Sequence, residues 1–169
     1  GNGGAIYNTG SFGGSSSPRI TNTTFTGNTA GKGGAIYNSV VSSGTNRPQI
    51  TNATFVGNSA EEGGAIYNRG YYTLNSTNTP EITNTILWGN DAVGNGDEIR
   101  NVDSFPEYSH SLIQGLDLDG PNDVGNLDGS TDPLFANVDD PSGADGIFGT
   151  ADDGLRLSPA SPVLNAGDD

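Results

Sequence analysis

Gly3-Gly-Ala-Ile-Tyr-Asn8 returns as Gly33-Gly-Ala-Ile-Tyr-Asn38 and again as Gly63-Gly-Ala-Ile-Tyr-Asn68, so the chain repeats itself every 30 residues. A second segment keeps step with the first. It reads Pro18-Arg-Ile-Thr-Asn-Thr-Thr-Phe-Thr-Gly-Asn28, then Pro48-Gln-Ile-Thr-Asn-Ala-Thr-Phe-Val-Gly-Asn58, then Pro80-Glu-Ile-Thr-Asn-Thr-Ile-Leu-Trp-Gly-Asn90. Two segments in fixed order at a fixed period make one structural rung per copy, and units of this size bury their apolar face only by stacking on neighbours. The reading is therefore an all-β solenoid, a parallel β-helix. Looser copies extend it: Gly96-Asp-Glu-Ile-Arg-Asn101 fits the first segment and Pro106-Glu-Tyr-Ser-His-Ser-Leu-Ile-Gln-Gly115 the second. Residues 1–115 then hold about four to five rungs, a rod of roughly 20 Å at ~4.8 Å per rung. Residues 116–169 are expected to form an irregular, acidic, loop-rich segment packing on or capping the last rung.

Composition agrees. The 169 residues suit one domain, and 31% apolar residues would be thin for a globular core but suffice for a narrow solenoid. Those apolar residues fall at repeated positions, which separates the chain from disordered sequences of similar polarity. The absence of cysteine excludes disulfides and thiol chemistry. No signal peptide or membrane span is legible, direct membrane insertion is not expected, and the opening inside a repeat suggests a processed or excised piece. Charge is unevenly spread. Residues 1–90 carry three acids against four bases, net +1; residues 91–169 carry seventeen acids against two, net −15, giving −14 in all. With no basic patch to displace counterions from phosphates, nucleic acid is not a partner. The acidic half instead invites divalent cations.

Strand alternation assigns the columns. Ile6, Ile36, Ile66 and Ile99 line one inner wall, Ile20, Ile50, Ile82 and Tyr108 a second, and Phe25, Phe55, Leu87 and Ile113 a third. Ile20 and Phe25 are an odd number apart, so both face inward only if the strand bends between them. Asn22, Asn52 and Asn84 mark that corner, because Asn tolerates the left-handed backbone a corner needs and stacked Asn side chains can bond as a ladder. Asn28, Asn58 and Asn90, each after a Gly, repeat the device at the next corner. The variable loops 9–17, 39–47 and 69–79 gather on one side, where any recognition surface should first be sought.

The pairing of Gly-Gly-Ala-Ile with Phe25-Thr-Gly-Asn28 and Phe55-Val-Gly-Asn58 resembles the polymorphic outer-membrane-protein type of repeat in bacterial surface β-helices. That resemblance implies a right-handed parallel β-helix. The third copy, Leu87-Trp-Gly-Asn90, replaces the Phe, and Gly96 to Asn101 lacks the second Gly. The tail is similar to the closing segment of secreted bacterial β-helix proteins of the choice-of-anchor class, on Asp132-Pro-Leu-Phe135, Gly146-Ile-Phe-Gly-Thr-Ala-Asp-Asp153 and Leu155-Arg-Leu-Ser-Pro-Ala-Ser-Pro-Val-Leu-Asn-Ala-Gly167. It implies an extracellular or cell-surface protein.

Sites that could carry chemistry are few. Asp139, Asp140, Asp145, Asp152 and Asp153 place five carboxylates within fifteen residues, among glycines that let the backbone fold around an ion. Calcium, which accepts carboxylates, carbonyls and water together, is the expected structural cofactor of this loop, although the spacing is not that of an EF-hand. The alternative is a solvated acidic turn. Asp117, Asp119, Asn122 and Asp123 form a second acidic cluster, read as a loop before a metal site. His110, the only histidine, aligns with Asn84 and reads as a substituted corner residue rather than a catalyst. Without a catalytic histidine no Ser or Cys nucleophile can borrow a base, and neither a nucleotide-binding glycine motif nor a zinc constellation appears. Asp97 and Glu98 could imitate a glycosidase pair, yet adjacent strand residues point to opposite faces. Tyr7, Tyr37 and Tyr67, continued by Arg100, are expected outside as exposed rings that could stack on sugars or dock a protein, or else pack on one another. Thr21, Thr51 and Thr83, with Thr23 and Thr85, are expected to form an outward Thr column like that of ice-binding solenoids, though Ala53 interrupts it. Asn22, Asn52 and Asn75 open glycosylation sequons that recur with the repeat.

The function expected from the sequence is a non-enzymatic extracellular structural module, either a surface stalk or adhesin segment or a subunit joining itself head to tail through open ends. The alternatives are a polysaccharide lyase or hydrolase and a module binding surface glycans.

Overall fold

The computed structural model describes residues 1–71, 76–117 and 124–167 and contains no helix among them. Five short parallel sheets run along the stack. The first holds Ile6–Ser11, Ile36–Val41, Ile66–Arg69 and Ile99–Val102 in register, Ile on Ile and Asn on Asn. Next round each turn come Ser15–Ser16, Thr45–Asn46 and Thr77–Asn78. The third sheet holds Arg19–Thr21, Gln49–Thr51, Glu81–Thr83 and Glu107–Ser109, and the fourth Thr24–Thr26, Thr54–Val56, Ile86–Trp88 and Leu112–Ile113. The fifth, Thr29–Lys32, Ser59–Glu62 and Asp91–Asn95, closes the circuit. Three or four strands per column close about three full turns, fewer than the four to five rungs read from the repeat. The arrangement is a parallel β-solenoid.

The inner columns fall where alternation puts them. Ile36, Ile50, Phe55, Ile66, Ile82 and Leu87 are fully buried in one cluster, with Ile6, Ile99, Tyr108 and Leu116 packed around its two ends. The Phe25 and Phe55 rings stack with centroids 4.6 Å apart. Each buried side chain of this size contributes about 1.5–3 kcal/mol by leaving water, so the central rungs carry most of the stability. The bend that brings Ile20 and Phe25 to one core is built from Asn22, Asn52, Asn84 and His110, whose φ angles of 52°, 53°, 50° and 48° are all left-handed. His110 is thus the substituted corner residue its alignment indicates. The Thr column is only partly as expected. Thr21, Thr51 and Thr83 lie on the outside, but Thr85 is buried: its hydroxyl donates to the Thr83 carbonyl at 2.9 Å. The residue sits at the corner, where the outward direction of the strand has already turned in.

The second Gly of each Gly-Gly-Ala-Ile-Tyr-Asn copy has a steric cause. A Cβ on Gly34 would lie 2.0 Å from the Gly64 carbonyl oxygen and one on Gly64 would lie 2.1 Å from that of Asp97. The backbones of successive rungs meet there, and only a residue without a side chain fits.

Part of the acidic tail joins the stack. Val124 and Leu127 bridge in parallel to Ser109 and Leu112, and the Asn126 side chain accepts from the Ser111 N–H at 3.0 Å and donates to the Tyr108 carbonyl at 3.1 Å. Residues 124–129 thereby extend the third and fourth sheets by part of a rung. Further on, Leu157, Val163 and Gly167 turn back along the corner column of Asn52, Asn84 and His110, enclosing a cleft of about 480 Å³. Leu134 and Phe135 lie beside Trp88 on the outer side of the fourth sheet. Among the described residues no helix is long and apolar enough to cross a membrane.

Candidate functional site

Three places hold the residues that the sequence singles out: the Tyr column, the acidic loop and the last rung. The Tyr rings stand outside the Ile wall, yet they are not an exposed strip. Tyr37 and Tyr67 are 4% and 3% exposed and only Tyr7, at 54%, meets solvent. The rings stack face to face along the axis, 5.1 Å from Tyr7 to Tyr37 and 5.3 Å from Tyr37 to Tyr67, with interplanar angles of 11° and 9°. Their faces are used up by one another, and the Lys32 ammonium, ion-paired with Glu62, lies 4.8 Å from the Tyr67 centroid. A sugar ring needs a free aromatic face, so Tyr37 and Tyr67 cannot offer the expected platform. The outward side chains instead shield the sheet, and Arg100 continues the column beside Tyr67 as aligned.

The acidic loop is closed by its own carboxylates. Asp145 accepts from the Ile147 N–H at 2.8 Å, Asp152 from the Asp145 N–H at 3.1 Å and the Thr150 hydroxyl at 2.7 Å, and Asp153 from the Gly149 N–H at 2.7 Å. The Thr150 hydroxyl, helped by the Asp145 N–H, holds the Asp152 carboxyl below its ordinary range. Asp139 and Asp140 are exposed on the preceding turn. Among the described residues no group of three or more Asp, Glu, His or Cys side chains gathers closely enough to hold a metal ion. Asp119, Asn122 and Asp123 of the second acidic cluster, and the Asn75 sequon, lie outside the described residues.

The Asn ladders are real and one of them was not foreseen. Asn28, Asn58 and Asn90 bond side chain to side chain at 2.8 and 2.7 Å, and the Oδ1 of Asn58 and of Asn90 also accepts the backbone N–H of the Asn one rung before, at 3.1 and 2.9 Å. A second ladder runs Asn8 to Asn38 to Asn68 to Asn101 at 2.9, 2.8 and 2.8 Å inside the first sheet. The Asn22, Asn52, Asn84 column supplies the backbone turn.

The last rung departs from the repeat at linked points. Ile113-Gln-Gly-Leu116 puts Leu where an Asn would end the first ladder. Glu98, standing where the other copies have Ala, fills the gap. It is 5% exposed; its Oε2 accepts from Asn90 Nδ2 at 2.5 Å and its Oε1 from the Asn90 N–H at 3.2 Å. Burial pushes its carboxyl up to about 7 against the pull of those bonds. The neighbouring Asp97 is exposed, so the two acids do not face one substrate, and both Glu98 oxygens are occupied. Asp97 also stands at the close-approach Gly position. By the geometry of Gly34 and Gly64, its Cβ points where a further rung's carbonyl would sit.

The described residues form a short in-register solenoid with turn-rich loops, a repeat-built architecture. Residues 22–39 and 52–69 match the Chlamydia polymorphic membrane protein (Chlamydia_PMP) repeat, each match running from a corner Asn through the Gly-Gly-Ala-Ile-Tyr-Asn strand. No curated protein and no solved structure matches the chain.

Proposed function

We propose that this chain is a surface-exposed, non-enzymatic spacer module of a longer bacterial cell-surface or secreted protein, a stalk or adhesin segment. The observation that carries the reading is the in-register stack, two of whose copies match the Chlamydia polymorphic membrane protein repeat. A stack of this kind gives length and stiffness while its side loops vary freely. Those loops present Phe12 at 84% exposure and Phe105 at 62%, the apolar contacts a partner would meet first. The spacer reading is favoured over the head-to-tail filament. Residues 124–129 already occupy two faces of the last rung, and Asp97 obstructs a third. The likeness of the tail to a choice-of-anchor closing segment belongs to the same proposal.

Antibody against the 11–16 loop should label intact producing cells or their shed protein, with loss of signal after external protease. Labelling that requires permeabilised cells would sink the reading. Release of unsaturated or reducing sugar ends from polysaccharides would overturn its non-enzymatic part, and a glycan array with Tyr7→Ala as control tests the sugar-binding alternative. Calcium at Asp139, Asp140, Asp145, Asp152 and Asp153 is a subsidiary proposal supported by the loop's charge density. Binding to the folded form raises the melting temperature with free calcium, so chelator should lower it; superimposable curves would leave a self-closed acidic turn.

A further inference from the structure

We propose that Glu98 is a proton-operated clasp on the last rung, holding the ladder end tightly when protonated and loosening the 96–98 turn when ionised. The geometry is specific to this copy. The other copies have Ala at this position, and Ala35 and Ala65 are fully buried; a carboxyl there is tolerated because Leu116 leaves the ladder without its amide terminus. The carboxyl lies between two clefts, of about 390 Å³ toward Ile99, Tyr108 and Leu116 and about 360 Å³ toward Asp91 and Gly115. Its side chain therefore has room to turn outward without dismantling the core.

The surroundings set the direction. The titratable groups lining the two clefts beside Glu98, among the described residues, are Asp91 and Asp97 from the acidic end of the rung and the Tyr108 phenol. No cation lines either cleft, so an ionised Glu98 is stabilised only by the N–H donors of Asn90 and Gly89 and is repelled by Asp97. Tyr108 offers no negative charge near neutrality, since burial raises its phenol to about 12. The folded state takes up the proton at a pH where the unfolded chain has lost it, and the free energy of that uptake is confined to the end of the stack. A surface module with this feature is firmest in mildly acidic surroundings and yields first at Gly96 to Ile99 as pH rises.

The test uses the whole chain, uniformly labelled for NMR. The Glu98 side-chain carboxyl carbon should titrate with a midpoint near 7. Exchange of the Asn90 amide, which donates to Glu98 Oε1, should lose protection by at least about tenfold between pH 5.5 and 8.5 once corrected for intrinsic base catalysis. In Glu98→Gln, which keeps shape and one acceptor but cannot ionise, the same protection should be flat across that range. The proposal is overturned if Glu98 titrates near its reference value of 4.5, or if wild type and Glu98→Gln lose protection in parallel. The carboxyl titration needs no variant, so a poorly folding Glu98→Gln would not shelter the idea.

Discussion

Replacing Asn58 by Ala should be among the most damaging single changes outside the apolar core. Its side chain is fully buried and makes five hydrogen bonds: Oδ1 accepts from the Asn28 N–H at 3.1 Å and from Asn28 Nδ2 at 2.8 Å, while Nδ2 donates to Asn90 Oδ1 at 2.7 Å, the Phe25 carbonyl at 3.0 Å and, at 3.5 Å, the Val56 carbonyl. Asn90 Oδ1 keeps the Asn58 N–H, at 2.9 Å, but the Phe25 carbonyl and the Asn28 donors lose this partner at partly or wholly dry positions. At about 1 kcal/mol net per bond, rising where a buried group is left unpaired, the loss should be roughly 3–5 kcal/mol. Asn8→Ala removes one ladder bond, of 2.9 Å, at the outermost rung and should cost about 1 kcal/mol. Urea unfolding of the two variants beside wild type, with unchanged m-values, reads both numbers. An Asn58→Ala cost under 1 kcal/mol, or one equal to that of Asn8→Ala, would refute the claim that buried amide ladders hold the corners.

The remaining expectations are independent of that one. The Glu98 carboxyl rises from 4.5 to about 7 on folding, so its contribution is full below pH 4.5 and fades as pH climbs through 7. Wild type should thus lose up to about 3 kcal/mol relative to Glu98→Gln between pH 4.5 and 8, at ~1.4 kcal/mol per unit, and parallel stability curves would count against it. Gly34→Ala drives a Cβ to within 2.0 Å of the Gly64 carbonyl oxygen and should prevent folding. Gly27→Ala meets nothing within 4 Å but sits at φ +66°, so circular dichroism melts should show a loss of only about 1–2 kcal/mol. Phe55→Ala, opening a cavity under the Phe25 ring, should cost about 3–5 kcal/mol in the same urea assay.

The inner walls were legible in the sequence because two independent periods agree: alternation within a strand chooses the face, and the 30-residue recurrence chooses the neighbour. Asn22, Asn52 and Asn84 were legible as corners for a similar reason, since an odd spacing between two inward residues requires a bend. The Asn8, Asn38, Asn68 ladder escaped although its signal was present. Asn8 lies two residues after Ile6 and so shares its inward face, where a polar side chain survives only by bonding its copies. The Tyr column was left between an exposed strip and rings packed on one another, because alternation tells which side of a sheet a ring takes, not what then covers it; the neighbouring rings and Lys32 do. Glu98 announced itself as an acid in an Ala position, but its meaning depends on Leu116, which only the aligned rungs connect. The tail carries no period, so nothing in its sequence gave away that Asn126 would continue the hydroxyl column of Thr85 and Ser111.

The in-register parallel stack is tested most directly by scalar couplings across backbone hydrogen bonds, measured by NMR on the labelled chain. The account predicts correlations from the Thr54 amide to the Thr23 carbonyl, from Ile86 to Ala53 and from Leu112 to Thr85, every partner about one period upstream. Partners whose numbers fall on one strand as they rise on the other, the mark of antiparallel hairpins, would contradict it.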